Sequence, residues 1–363
     1  MLRRHAIRYW FLAVITAIAL WMGACQSQRT DTVSSEAADS SSPAPSTELI
    51  RLNGTGASFP FLLYQRWFTE YNQQAPNVQI NYQPTGSEVG IQQVISGTVD
   101  FGASDTAMDE ADIAQVDEGV VLLPMTAGSV AIAYNLPGVD SGLNLPRDVY
   151  PAIFSGTITT WDDPRIASAN PDVTLPDVPI ILVHRSDGSG TTAALTRHLS
   201  AVSPEWKESI GMGMSVAWPA GVAIKSNAGV SAQIQQAEGA IGYVEYSYAQ
   251  QLDMSVAALE NLAGTFVTPT VESTSKALST LSLPESLVAF SPDPEVTDAY
   301  PIATYSWLMA YQRYDDAAKA DALRDVLTWC IEEGQQFSEE LGYVPLSEEV
   351  RTRVLEAIAQ IQS

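Results

Sequence analysis

Residues 180–199 read Ile180-Ile181-Leu182-Val183-His184-Arg185-Ser186-Asp187-Gly188-Ser189-Gly190-Thr191-Thr192-Ala193-Ala194-Leu195-Thr196-Arg197-His198-Leu199. The run Ile180–Val183 is short, apolar and β-branched, which predicts a buried strand. Two glycines and three hydroxyl residues then make a turn, and the Ala- and Leu-containing stretch from Thr191 to Leu199 predicts a helix. Strand, Gly-rich turn and helix in succession are the repeating unit of α/β architecture. The unit recurs upstream. A strand over Leu49–Leu52 leads through Asn53-Gly54-Thr55-Gly56-Ala57-Ser58-Phe59-Pro60 into a helix over Phe59–Gln74, with Ser58 placed to cap a helix that carries Pro60 in its first turn. A strand over Val78–Gln83 leads through Thr85-Gly86-Ser87-Glu88 into a helix over Val89–Ile95, closed by Gly97.

Further strands are expected at Val99–Ala103, Ile241–Val244 and Ile302–Met309, with Val120–Leu123 and Val130–Tyr134 flanking a turn at Gly128. Helices are expected at Asp315–Glu333 and Glu348–Ile361. No internal repeat interrupts this pattern.

Each of the three loops is a potential anion cradle. The unpaired N–H groups and positive dipole end at a helix start favour negative charge. Gly188 and Gly190 let backbone amides come close to a ligand, Ser189 and Thr191 add hydroxyls, and Arg185 adds a fork of charge-assisted donors. Asp187 lies near enough in sequence to pair with Arg185 and orient it. Taken singly, every one of these residues also reads as an ordinary cap, and so does Asp105 in Asp100-Phe101-Gly102-Ala103-Ser104-Asp105.

Composition narrows the classes. The formal net charge of −24 excludes the basic face that nucleic acid requires. It does not exclude a small anion, because aligned donors at contact range outweigh distant screened charges. After residue 25 only His184 and His198 remain as histidines, and the Gly188-Ser189-Gly190 stretch lacks the nucleophile-elbow pattern of a serine hydrolase. His184 reads as a strand-end residue. No Lys follows the glycines, so a nucleotide P-loop fails as well. The cysteines and histidines lie too far apart in sequence to suggest a metal cluster, and no cofactor is expected.

The N-terminus has a separate logic. Arg3, Arg4 and Arg8 precede an apolar run from Tyr9 to Met22, the order of a secretory signal peptide. The run ends at Met22-Gly23-Ala24-Cys25, which resembles a bacterial lipobox, with Cys25 as the lipidated residue. Cleavage there removes three arginines and no acid, moving the formal charge from −24 to −27. Residues 1–24 are thus read as signal peptide. Residues 25–48, rich in Ser, Thr, Ala, Asp and Pro, are read as a flexible tether that cannot bury enough apolar surface to order itself. Cys330 is left without an intramolecular partner. About 315 residues remain, enough for two ordinary domains.

Four segments together carry a resemblance. Gly54-Thr55-Gly56-Ala57-Ser58-Phe59-Pro60, Val99-Asp100-Phe101-Gly102-Ala103-Ser104-Asp105, Arg185-Ser186-Asp187-Gly188-Ser189-Gly190-Thr191 and Gly242-Tyr243-Val244-Glu245-Tyr246 resemble the periplasmic phosphate-binding proteins of the phosphate ABC importer, the PstS family. Order and spacing hold from Leu49 to the C-terminus. The resemblance implies a two-lobe α/β periplasmic-binding-protein fold of the Venus-flytrap, type II-like kind, with lobe one at 49–125 and 300–363, lobe two at 126–299, and the ligand between them. It implies phosphate held by Ser58, the amide of Phe59, Ser87, Arg185, Ser189, Gly190 and Thr191, with Asp105 accepting from a protonated phosphate oxygen and Asp187 orienting Arg185. It also implies binding without bond chemistry, a monomer, delivery to the membrane permease of an ABC importer, and a periplasmic or cell-surface location on a lipid anchor. Glu88 departs from the small polar residue many relatives carry after the matching serine. At a first helical turn it is expected to face solvent and complement the dipole.

Overall fold

Parallel strands at the start of the chain set the frame. In the computed structural model, which describes residues 48–363, β1 (Ile50–Gly56) pairs in parallel with both β2 (Val78–Gln83) and β3 (Phe101–Ser104). The signal peptide, Cys25 and the tether as far as residue 47 lie outside the described residues. Helices α1 (Phe61–Gln74) and α2 (Ser87–Ile95) make the two crossovers, and α2 lies so close that a Cβ on Gly90 would sit 2.7 Å from the Gly56 Cα. The short α3 (Glu110–Ile113) follows, capped by Asp109.

The next strand overturns an expectation. β4 runs unbroken from Val120 to Asn135, so Gly128 is not a turn. Its lack of a side chain serves close packing instead: a Cβ there would lie 3.0 Å from Glu245 Oε1 and 3.1 Å from the Phe59 ring. Through Ser129, β4 pairs antiparallel with β12 (Ala303–Tyr311), and from Val130 onward with β8 (Ala240–Glu245).

Between β4 and β12 the chain builds the second half of the sheet. After β5 (Asn144–Leu145) and the short helices α4 (Val149–Phe154) and α5 (Pro164–Ala169) comes β6 (Ile181–Arg185), which pairs in parallel with β7 (Val222–Ile224) and with β8. Helices α6 (Gly190–Val202) and α7 (Pro204–Ser209) follow β6, α8 (Ser226–Gln236) joins β7 to β8, and α9 (Tyr246–Gln251) follows β8. The main sheet therefore has the order β2-β1-β3-β12-β4-β8-β6-β7, with β9 (Ser255–Val256) on β4. β10 (Ala258–Glu260) and β11 (Phe266–Val267) form a small separate sheet with β5. The helix α10 (Val271–Leu278) precedes β12, and α11 (Ala317–Glu332) and α12 (Glu348–Ile358) return to the first half, where Trp67 Nε1 donates to the Gly334 carbonyl at 2.7 Å.

Strands shielded on both faces carry apolar side chains nearly throughout. Every residue of β3 and β8 is buried, and Trp67, Trp161, Trp206 and Trp307 lie wholly inside. A second cluster around Val183, Val230, Ile234 and Val244 fixes α8 against β6 and β8. All three Gly-rich loops leave the carboxyl ends of parallel strands, the place where open α/β sheets put their ligands.

Candidate functional site

Ser58 follows β1 but does not cap α1. Pro60 holds the N-cap position, where its ring has no acceptor to cap with and, having no N–H, it donates nothing to Ser58. The freed Ser58 Oγ instead accepts two hydrogen bonds from Asn227 in the other half of the sheet, from its backbone N–H and from Nδ2, each at 3.1 Å. Ser87 is the first residue of α2, entered from Gly86 at φ 111°. Its Oγ accepts from the Gly190 amide at 3.0 Å and from the Asp105 amide at 3.4 Å. A side chain on Gly190 would not fit: a Cβ there would meet Asp105 Cβ at 2.6 Å and Ser87 Oγ at 2.7 Å.

Asp105 follows β3 and is buried. It caps no helix: Oδ1 accepts from Ser306 Oγ at 2.8 Å and Oδ2 from Thr191 Oγ1 at 3.4 Å. Burial pushes its pKa up to about 7, with the Asp187 charge adding to the rise and with Ser306, Arg185 and Thr191 opposing it. Ser189 caps α6 by accepting the Thr192 amide at 3.2 Å.

Arg185 ends β6 with a side chain only 1% exposed. Its Nε and Nη2 donate to the two oxygens of Asp187 at 2.7 and 2.5 Å. Burial disfavours the Asp187 charge, but Arg185 and the Ser226 amide outweigh it and hold the carboxyl below its usual value. Nη1 is buried and has no hydrogen-bond partner among the described residues. An unmet charged donor inside a protein is costly, so this group is a natural contact for an anion.

Phe59 is fully buried, and its carbonyl accepts from Tyr343 Oη at 2.6 Å. Glu88 is exposed in the first turn of α2, as expected, though its carboxylate also occupies the space beside Gly188: a Cβ on Gly188 would lie 1.9 Å from Glu88 Oε2. The Glu88 amide donates across to the Gly188 carbonyl at 3.1 Å. His184 and His198 serve packing. His184 stacks on Trp218, and His198 shares a hydrogen bond with Tyr150 Oη at 2.9 Å.

Ser58, Ser87, Asp105, Gly190 and Thr191 thus fall into one buried, hydrogen-bonded network, with Arg185, Asp187 and Ser189 on its border. Sequence reasoning missed Asn227 and Ser306. Asn227 had a faint signal, a helix start after a strand, but Val222–Ile224 is too short and exposed to stand out. Ser306 lies in mid-strand, where nothing in the sequence separates it from a structural serine.

A model of the PBP superfamily domain matches residues 32–333. The chain is 39% identical over 349 residues to the phosphate-binding protein PstS of Xylella fastidiosa strain Temecula1, covering 94% of each, and 40% identical over 315 residues to that of Pasteurella multocida, covering 86% of this chain and 90% of the relative. The chain belongs to the PstS family. Among solved structures it superposes on a high affinity periplasmic phosphate-binding protein (PfluDING) bound with phosphate, with TM-score 0.70, 22% identity and coverage of 84% of this chain and 93% of the other. That likeness establishes the two-lobe fold of PstS proteins for this chain. No helix among the described residues is long and apolar enough to cross a membrane.

Proposed function

We propose that this protein captures inorganic phosphate in the cleft between its two lobes, outside the cytoplasm, and delivers it to the permease of an ABC importer. The observation that carries the reading is the unpartnered Nη1 of Arg185 at the edge of a network that draws Ser58, Ser87, Asp105, Gly190 and Thr191 from both halves of the sheet. Family membership supports the same reading.

The mechanism is exchange of solvent for fixed donors. Dehydrating a multivalent anion is costly, so the site must replace nearly all of its hydrogen bonds. Ser58, Ser87 and Ser189 offer hydroxyls, Phe59 offers an amide and Arg185 offers charge-assisted donors, Gly190 N–H and Thr191 O–H exchange Ser87 Oγ and Asp105 Oδ2 for the anion, and Asp105 accepts from a protonated phosphate oxygen. β4 changes partner between Ser129 and Val130, and we place the hinge between lobes there. Closure around the ligand gives the permease two shapes to distinguish. The tether and a lipid on Cys25 hold the monomeric domain near the membrane, which mass spectrometry of membrane-extracted protein checks.

Calorimetric titration of the chain with phosphate, sulfate and molybdate tests the function, with phosphate expected to be bound tightly and the others far more weakly. Truncating a buried charged donor costs about 2 to 5 kcal/mol. Arg185→Ala is therefore expected to weaken phosphate at least about 30-fold while the melting transition stays cooperative. Unchanged affinity in that variant would move the site elsewhere.

A further inference from the structure

Asn227, near the start of α8, is fully buried and engaged on every side. Its Oδ1 accepts the Glu245 amide at 3.1 Å. Its Nδ2 donates to Ser58 Oγ at 3.1 Å and reaches Thr191 Oγ1 at 3.4 Å, and its backbone N–H donates to Ser58 Oγ at 3.1 Å. The amide has one sensible orientation, because a backbone N–H at one end demands the carbonyl oxygen there and turns the NH2 toward the two hydroxyls. The backbone is held just as firmly. Ser226 adopts φ 63°, a left-handed conformation uncommon outside glycine, and its N–H donates at 3.2 Å to Asp187 Oδ1, the oxygen that also receives Arg185 Nε.

A serine hydroxyl has one proton and two lone pairs. At Ser58 both lone pairs receive N–H groups of Asn227, so the hydroxyl can only donate. We propose that Asn227 is a positioning residue that fixes the polarity of Ser58, making it an obligate donor toward an oxyanion. The inference rests on the anion-binding reading of this site and adds to it how the cradle distinguishes a ligand rich in acceptors from one that must donate. Ser87 is treated alike by the amides of Asp105 and Gly190, but only at Ser58 does a side chain impose the polarity, so only there can substitution release it.

Asn227→Ala leaves the Ser58 hydroxyl one free lone pair and freedom to rotate. Asn227→Asp keeps an acceptor for the Glu245 amide but offers Ser58 an acceptor too, so the hydroxyl proton turns away from the anion. Phosphate affinity of the full chain, measured by calorimetry, is expected to fall about tenfold in Asn227→Ala and further in Asn227→Asp. The deciding measurement is the cycle with Ser58→Ala. If Asn227 acts through Ser58, either substitution costs clearly less in the Ser58→Ala background than in the wild type. Equal fold-losses in both backgrounds, or wild-type affinity in both Asn227 variants, would overturn the proposal while leaving phosphate binding intact. Should Asn227→Ala fail to fold, the near-isosteric Asn227→Asp carries the same cycle. A wild type that does not bind phosphate at all would instead defeat the functional reading itself.

Discussion

Asp105 is where the chemistry of single residues is most exposed. Its carboxyl, raised by burial to about 7, changes charge within the range in which phosphate itself exchanges a proton. As a carboxylate it accepts from a protonated phosphate oxygen and repels sulfate, which has only acceptors to offer. As a neutral acid it can donate to sulfate. Sulfate affinity is therefore expected to rise as pH falls toward 7, by up to about tenfold per unit, and to level off below it. Asp105→Asn should flatten this profile, and sulfate titrations at several pH values check it. A wild-type profile as flat as the variant's would remove Asp105 from the discrimination. Stability follows the same proton. Because the folded-state pKa lies above the unfolded value, the folded protein binds more protons between about 4 and 7, and stability declines as pH rises through that window. In the absence of anion, the melting temperature of Asp105→Asn relative to wild type is expected to climb from pH 4 to pH 7 and then hold. Glu245, fully buried with its pKa raised well above the usual value by burial, adds a decline of the same sign.

Loops that leave strand ends decide whether the site can assemble. Gly190 opens α6 and lies against Asp105 and Ser87 with no room for a methyl group: a Cβ there would sit 2.7 Å from the rigid Asp105 amide nitrogen. Gly190→Ala is expected to hold the two halves apart and to weaken phosphate by about 100-fold or more, given the loss of several charge-assisted and neutral hydrogen bonds at once. Its thermal unfolding should stay cooperative, because the clash lies between loops and not within a core. Affinity within a few-fold of wild type would show that the loops need not approach so closely. Much of this element-scale picture was legible in the sequence. Val78–Gln83 forms the strand expected there, and the Gly-rich turn after Arg185 leads into a helix as its glycines and hydroxyls suggested. The misreadings have local causes. Gly128 reads as a turn because glycine usually breaks a strand, whereas here it admits Phe59 and Glu245 to the sheet surface. Ser58 reads as a cap because a serine before a helix usually is one, whereas here its Oγ is taken by donors of a residue 169 positions away. Pairings that distant leave no local pattern, which hid Ser306 in mid-strand and left Asn227 only the faint signal of a helix start.

Charge at the scale of the whole molecule sets a final constraint. The chain carries a formal net charge of −24, yet the ligand it is proposed to take is an anion. Inside the site Arg185 is matched by Asp187, and Asp105 contributes no positive charge in either protonation state. Attraction must then come from hydroxyl and amide dipoles at contact range, with little change in the long-range field. A site built on excess cationic charge loses affinity as salt rises, because the screened attraction was part of its binding energy. This one should behave in the opposite sense. Added salt screens the repulsion between an acidic protein and an approaching anion, so the association rate is expected to rise several-fold between about 10 mM and 150 mM sodium chloride, where the Debye length shrinks from about 30 Å to about 8 Å. The dissociation rate, governed by buried hydrogen bonds, should change little, since buried pairs are screened much less than exposed ones. Stopped-flow measurement of phosphate association and dissociation at fixed pH 8, where phosphate is almost wholly dianionic, separates the two. A steep fall in association rate with salt would mean that an uncompensated cationic patch guides the ligand, contrary to the neutral Arg185–Asp187 pairing on which the mechanism depends.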